Sequence, residues 1–178
     1  MALEFLKNHF RRRSLARIGN TVPTALLPLS RIRRALVLID VEDPSFDTCK
    51  TAVAAFFRNN GIKGTFLFLD LRKIDGNELL ITSITNTILR RDLNWYGRPS
   101  REKTALLEQP ETDLLICLPC RSDYSIEYMV KTVPARFKVG RRQLPGSPFD
   151  LVVKDPDGAP GSEERSFVQM AHILKKIV

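Results

Sequence analysis

The stretch RALVLID (34–40), followed by SFDTCKTAVAAFFRNNG (45–61) and TFLFLD (65–70), decides the fold class. The first and last runs are continuously apolar, which is typical of strands covered on both faces of a parallel sheet. Between them, apolar residues recur at the spacing of a helix that begins after Ser45 and ends at Asn60-Gly61. The three segments therefore predict a strand–helix–strand unit.

The same alternation continues toward the C-terminus. Further strands are predicted at 113–118, 135–140 and 149–155, and residues 77–93 fit either a helix or a strand. Helices are predicted after Ser100, over 124–132 and from Phe167 onward. We therefore expect one α/β domain, residues 34–178, built as three layers around an open, mostly parallel sheet (Rossmann-like or flavodoxin-like).

Residues 1–33 form a basic arm that precedes this domain. Residues 1–34 contain eight basic residues and one acidic residue, a net charge of +7, whereas the rest of the chain carries +1. Leu3, Leu6 and Phe10 fall near one face of a predicted helix over 3–18. Such an arm favours RNA or another polyanion, with a membrane surface as the weaker alternative. The candidate anion-binding residues are Arg11, Arg12, Arg13, Arg17, Arg31, Arg33 and Arg34.

Several classes of protein are not indicated. The chain has neither an apolar run of membrane-spanning length nor the apolar core of a signal peptide, so a cytoplasmic protein is expected. No dinucleotide, P-loop or nucleophile-elbow motif is present. We therefore expect no cofactor and no metal, and nothing in the sequence indicates an oligomeric state.

Cys117 and Cys120 form a Cys-x-Pro-Cys pair at the end of a predicted strand. A pair at a helix N-terminus can be redox-active, because the helix end favours the thiolate. Cys117, however, lies inside an apolar run, where a free cysteine behaves as a small hydrophobic residue. We expect Cys117 to be buried and both thiols to be reduced and unreactive.

Four acidic residues stand at the ends of the first two strands: Asp40, Glu42, Asp43 and Asp70. Carboxylates at such strand ends hold Mg²⁺ in phosphoryl-transfer domains, which makes these the candidate catalytic residues. The sequence Asp43-Pro44-Ser45 is also ordinary turn and helix-cap chemistry, which we favour here.

A third candidate site combines arginines with aromatic residues. Trp95 and Tyr96 are flanked by Arg90, Arg91, Arg98, Arg101 and Lys103, and a further basic group, Arg136, Lys138, Arg141 and Arg142, surrounds the strand at 135–140. Exposed aromatics between arginines bind single-stranded nucleic acid. Because a lone tryptophan is usually largely buried, we expect Trp95 in the core and these arginines on an ordinary surface.

The segments ARFKVG (135–140), FDLVV (149–153) and FVQMAHILKKI (167–177), read together, resemble an uncharacterised family of small α/β proteins found in Bacteroidota. The resemblance implies an intracellular bacterial protein with a basic N-terminal helix, and it implies no activity. The cysteine pair is not a feature of that family, which argues further against a redox site.

These observations lead to three functional hypotheses. The first is an intracellular α/β binding module whose basic arm contacts RNA or a ribonucleoprotein. The second is a small-molecule or phosphoryl-group enzyme with an acidic site at the strand ends. The third is a peripheral protein that docks on membranes through residues 3–18.

Overall fold

The computed structural model describes residues 2–18, 22–73, 82–155 and 161–178. Within this part of the chain, six strands form one sheet in the order β3-β2-β1-β4-β5-β6, and every neighbouring pair is parallel. This is the strand order of doubly wound nucleotide-binding sheets. β2 and β3 are added on one side of β1 and β4 to β6 on the other, so the switch point lies between β1 and β4. The strands are β1 Arg34–Asp40, β2 Lys63–Asp70, β3 Thr87–Leu89, β4 Leu114–Cys117, β5 Phe137–Gly140 and β6 Leu151–Val152.

Helices cover both faces of the sheet. On one face, apolar residues of α2 and α5 pack against alternate strand residues such as Val37 and Ile116. On the other face, α3 and α4 pack against the intervening strand residues, among them Leu38 and Leu115. The helices are α1 Ala2–Ala16, α2 Phe46–Asn59, α3 Arg101–Leu107, α4 Tyr124–Thr132 and α5 Glu163–Leu174. The predicted three-layer α/β fold is confirmed.

Two predicted elements differ in extent. The strand expected over 149–155 pairs only at Leu151–Val152; just before it, the Asp150 carboxylate accepts the Lys138 N–H at 2.8 Å, and the Asp150 N–H donates to the Lys138 carbonyl at 2.9 Å. In the ambiguous segment 77–93, the described residues from 82 onward form a 3-10 turn, Ile84–Asn86, and then the short strand β3. The first part of that segment lies outside the described residues.

The helix α1 packs on the outside of α4. Ser14 is buried, and its hydroxyl lies 2.6 Å from the Tyr124 hydroxyl at the start of α4. Between α1 and β1, Leu27 and Ile32 belong to the core on the α2–α5 face. The domain boundary at residue 33 stays a prediction. In the described residues, no helix combines the length and the apolar character needed to cross a membrane.

Candidate functional site

The carboxyl end of β1 is covered by the first turn of α5. Both carboxylate oxygens of Glu163 lie near the Asp40 backbone N–H, at 3.1 and 3.2 Å, and Glu163 is only 1% exposed. Burial, and to a lesser degree the neighbouring carboxyls of Asp43 and Asp40, raise the pKa of Glu163 to about 9. A neutral carboxyl group therefore fills the position beside the switch point, where doubly wound sheets commonly bind ligands.

Asp43 joins the starts of two helices. One carboxylate oxygen accepts the backbone N–H and the hydroxyl of Ser45, at 2.8 and 2.6 Å, and the other accepts the Glu163 N–H at 3.2 Å. Ser45 occupies the N-cap of α2, but its hydroxyl makes no capping bond within that helix. Instead, the Ser45 oxygen accepts the Glu164 N–H at 3.1 Å. The predicted turn accounts for the contact of Asp43 with the Ser45 N–H, whereas the predicted Ser45 side-chain cap is not formed within α2.

Asp40 and Glu42 meet at Arg121. The Arg121 guanidinium lies 3.8 Å from Asp40 and 3.4 Å from Glu42. Burial raises the pKa of the Asp40 carboxyl above its usual value, even though the Glu42 N–H and Arg121 oppose this shift. One cation from the loop after β4 therefore faces both carboxyls, and it also pairs with Asp123 at 3.3 Å.

Asp70 ends β2 and is engaged separately. Arg72 donates two hydrogen bonds to its carboxylate, at 2.8 and 2.7 Å, and these hold the pKa of Asp70 below its usual range. Across the described ranges, no three His, Cys, Asp or Glu side chains are grouped as a metal site would require. The structure thus brings Asp40, Glu42 and Asp43 to one strand end, while Asp70 pairs with Arg72. The catalytic role of the four acids stays a prediction.

The cysteines lie in two different environments. Cys117 and Cys49 are buried, and burial raises the pKa of both thiols far above the ordinary value. Cys120 is half-buried, and all three thiols are free. The expected burial of Cys117 is confirmed.

The N-terminal helix meets the loop of residues 90–101. The Phe10 ring lies edge-on to Trp95, with ring centroids 5.5 Å apart, and stacks on Tyr96 at 5.8 Å. Arg11 donates a hydrogen bond to the Tyr96 carbonyl at 2.9 Å, and its guanidinium lies 5.4 Å from the centre of the Tyr124 ring. Because Arg11 and Tyr96 are 85 positions apart, two basic segments that are distant in sequence form one surface.

Trp95 is 52% exposed. The expectation that it packs in the core is wrong, because the loop holds it against Phe10 and Tyr96 at the surface instead of turning it toward the sheet. A shallow cavity beside the neighbouring Tyr96 is lined by Arg91, Arg98 and Arg101. We call the set Phe10, Arg91, Trp95, Tyr96, Arg98 and Arg101 the aromatic–arginine face.

The arm arginines are distributed over two places. Arg12, Arg13 and Arg17 are exposed on α1 and just after it, and Arg11 is half-buried against Tyr96. The other three lie at the amino-terminal end of β1, where Arg34 pairs with Glu111 and the N–H groups of Arg33 and Arg34 bond to Asp113. Arg31 and Arg33 are exposed there.

Three other basic residues of the third candidate site are buried. Lys138 donates to the Val130 carbonyl at 2.9 Å, and burial lowers its pKa to about 8. Arg141 pairs with Asp155 at 3.0 Å, and Lys103 donates to the Ile84 carbonyl at 2.6 Å. The expectation of an ordinary arginine surface is therefore wrong for Arg141. Its head group joins the loop after β5 to the residues before α5.

Two features of the site are not visible in the sequence pattern. The helical spacing places Phe10 on an apolar helix face, whereas in the structure it supplies the contact that fixes Trp95. The sequence Ser162-Glu163-Glu164 is the usual start of a helix, with an N-cap and acidic residues in the first turn. That pattern locates the helix start and gives no sign that Glu163 is buried.

Comparison with known protein families identifies a match over most of the chain. The model of a family described as "Family of unknown function (DUF6913)" matches residues 4–176. No curated protein and no solved structure matches the chain.

Proposed function

Because the chain belongs to DUF6913, a family of unknown function, we propose its function from its own geometry: it is an intracellular protein that binds single-stranded RNA. The binding surface is the aromatic–arginine face together with the exposed arginines of α1. This proposal follows the RNA-binding hypothesis from the sequence and extends the binding surface from the basic arm to Trp95.

The observation that carries the proposal is the exposed aromatic cluster between the two basic segments. Trp95 is 52% exposed and Phe10 is 40% exposed, and each supports the other through the edge-on contact at 5.5 Å. Unpaired bases stack on such rings, at roughly 1–3 kcal/mol per base. Paired bases are already stacked within a duplex, so the cluster favours a single strand.

Arginines on both sides of the aromatic cluster can bind the phosphates of such a strand. Arg91, Arg98 and Arg101 line the cavity next to Tyr96, and Arg12 and Arg13 are exposed on α1. Asp92 lines the same cavity, but its carboxylate accepts the Leu89 N–H at 2.9 Å and lies 3.9 Å from the Lys103 ammonium. The carboxylate is thus already engaged, and the arginines supply the positive charge that phosphates need.

Fluorescence anisotropy with a labelled single-stranded RNA of about 12 nucleotides tests the proposal. We expect Trp95→Ala to weaken binding by roughly 5- to 150-fold, the equivalent of one stacked base. Phe5→Ala is the matched control, because Phe5 is 74% exposed on α1 outside the aromatic cluster and should leave the affinity unchanged. Equal affinity of the Trp95→Ala variant and the wild type, or no binding at low salt, would refute the proposal.

A second candidate function is supported by a different set of side chains. Leu3, Phe5 and Leu6 are 60%, 74% and 47% exposed on the first turns of α1, next to basic residues. A helix of this kind can lie in the interface of an anionic membrane. Co-sedimentation with vesicles containing anionic lipid separates the two functions: Phe5→Ala should abolish vesicle binding if the membrane is the partner, whereas it should not affect RNA binding.

A further inference from the structure

A half-enclosed cavity of about 500 Å³ lies between the end of α1, the end of α3 and the last turn of α4. It is separate from the carboxyl end of the sheet and adjoins the aromatic–arginine face, because Arg98 lines both this cavity and the shallow one beside Tyr96. Its volume falls within the range of small-molecule sites, about 300–1,000 Å³. The cavity is therefore large enough for one nucleotide.

Two guanidinium groups line this cavity. Arg17 follows α1, and Arg98 lies over the Tyr128 ring with 5.3 Å between its guanidinium carbon and the ring centre. In the described part of the chain, neither arginine forms an ion pair with a carboxylate. A phosphate monoester carries a charge of about −1.5 to −2 at neutral pH and three strong acceptor oxygens, and two arginines match this charge and can donate to these oxygens.

The rest of the lining favours a nucleotide over inorganic phosphate. Glu108 lines the same cavity, and a carboxylate there repels phosphate but accepts hydrogen bonds from ribose hydroxyls, as acidic residues do in nucleotide sites. Thr132 also lines the cavity, and its hydroxyl oxygen is buried without a hydrogen-bond partner among the described residues. The cavity thus combines cations for a phosphate, an acceptor for a sugar and an unpaired hydroxyl.

We propose that this cavity binds a nucleoside monophosphate unit as the phosphorylated end of the RNA strand that crosses the aromatic–arginine face. This inference rests on the proposed function and deepens it. A terminal unit is favoured because α1 and α4 enclose part of the cavity, whereas the adjoining cavity beside Tyr96 is shallower and more open. Arg98 then lies between the terminal phosphate and the next one along the strand.

The test compares RNA strands of one sequence that carry either a phosphate or a hydroxyl at the unlabelled end, with the dye at the other end. Anisotropy is measured for both the 5′-phosphate and the 3′-phosphate forms, and the binding of free AMP is measured by calorimetry. We expect one phosphorylated form to bind at least about tenfold more tightly than the hydroxyl form, because the phosphate forms charge-assisted hydrogen bonds that the hydroxyl form lacks. Arg17→Gln should remove this preference.

Arg12→Gln is the matched control, because Arg12 is exposed on α1 shortly before Arg17 and does not line the cavity. Both variants lose one positive charge and both should weaken RNA binding overall, so the cavity is supported only if the preference for the phosphorylated end is lost in Arg17→Gln and kept in Arg12→Gln. Equal binding of phosphorylated and hydroxyl ends, or an equal loss of preference in both variants, would overturn the inference and leave the RNA proposal standing. AMP binding that depends on Arg17 without any RNA binding would instead overturn the RNA proposal and keep the nucleotide site.

Discussion

Glu163 is a neutral carboxylic acid in the folded protein, because its surroundings raise its pKa. Glu163 is buried against the Asp40 N–H, and the Asp43 carboxylate accepts the Glu163 backbone N–H, so a charge on Glu163 would lose its hydration and be repelled by Asp43, and the attraction of Arg141 offsets only part of this cost. The sequence shows only an acidic residue near a helix start, where carboxylates are usually exposed and charged. Its neutral state arises from tertiary contacts, and the sequence could not reveal it.

This neutral acid makes the stability of the protein depend on pH. The pKa of Glu163 is about 9 in the folded protein, against 4.5 for an ordinary glutamate. Between these values the unfolded chain is ionised and the folded chain is protonated, so unfolding releases a proton and rising pH favours unfolding, by up to about 1.4 kcal/mol per pH unit. Glu163→Gln keeps an acceptor and carries no charge, so its melting temperature should match the wild type near pH 5 and exceed it increasingly toward pH 9.

Glu164→Gln serves as the control for this prediction. Glu164 is the adjacent residue of the same helix and is half-buried rather than buried, with its carboxylate 2.8 Å from the Thr48 hydroxyl. Its melting temperature relative to the wild type should change little across the same pH range. A difference between Glu163→Gln and the wild type that is constant from pH 5 to pH 9 would contradict the assignment.

The thiols should react in two classes. With a disulfide reagent at pH 8, we expect Cys120 of the native protein to react first, because it alone of the three is partly exposed. Cys49 and Cys117 should react only after unfolding, because they are buried and their raised pKa values keep them protonated. The number of thiols modified before and after addition of guanidinium measures this. Rapid modification of Cys117 in the native protein would revive the redox interpretation.

At the scale of elements, α1 contributes contacts of two kinds. Ser14 and Phe10 attach it to Tyr124 and to the 90–101 loop, and its arginines extend the basic surface. Since Phe10 is 40% exposed and Leu3, Phe5 and Leu6 are largely exposed, the helix buries little apolar area. Its contribution to stability should therefore be small compared with its contribution to binding.

Deleting residues 1–18 tests whether α1 contributes more to RNA binding than to stability. The truncation stops there because Leu27 and Ile32 belong to the core. We expect a loss of about 1–3 kcal/mol in stability, or roughly 2–12 °C in melting temperature, from the packing of one partly exposed helix. RNA affinity should fall much more, and the slope of log affinity against log salt should flatten by about 0.7 for each phosphate that the protein no longer neutralises.

A triple variant, Arg12→Gln, Arg13→Gln and Arg17→Gln, separates charge from packing. It keeps the helix and the Phe10 and Ser14 contacts, so its melting temperature should stay near that of the wild type while its salt slope flattens. If the triple variant binds RNA as the wild type does and the truncation only lowers the melting temperature, α1 is a structural helix and the binding surface lies elsewhere.

The elements that could be predicted from the sequence are those whose apolar residues, as spaced along the chain, are the residues that the folded protein buries. β1, α2 and α4 have continuous apolar or helix-period patterns and occur at Arg34–Asp40, Phe46–Asn59 and Tyr124–Thr132, close to the predicted bounds. β6 is shorter than expected, since a continuous apolar run does not show how many of its residues pair with β5. The position of Trp95 could not be predicted either, because its ring packs against Phe10, a residue far away in sequence.

For the whole molecule, the sheet separates two regions of different chemistry. The carboxyl end of β1 is closed by the neutral Glu163 and by Arg121, whereas the open basic surface lies outside α3 and α4. The strand order alone predicts a ligand site at the switch point. The sequence motifs do not show that the side chains of Glu163 and Arg121 occupy this position. The charge asymmetry did indicate the N-terminal helix as the basic element, and the structure adds the loop that this helix contacts.

The hydrogen bond between Asp40 and Glu163 also has a consequence for the timing of biosynthesis. The two residues are 123 positions apart, which at a synthesis rate of about 5–20 residues per second corresponds to a delay of roughly 6–25 s. During this interval the side of α2 that carries Val53 and Phe56 has no α5 to cover it, because Phe167 and Met170 have not yet been made. In a nascent chain of this protein, the aromatic side of α2 therefore lacks its partner until α5 has been synthesised.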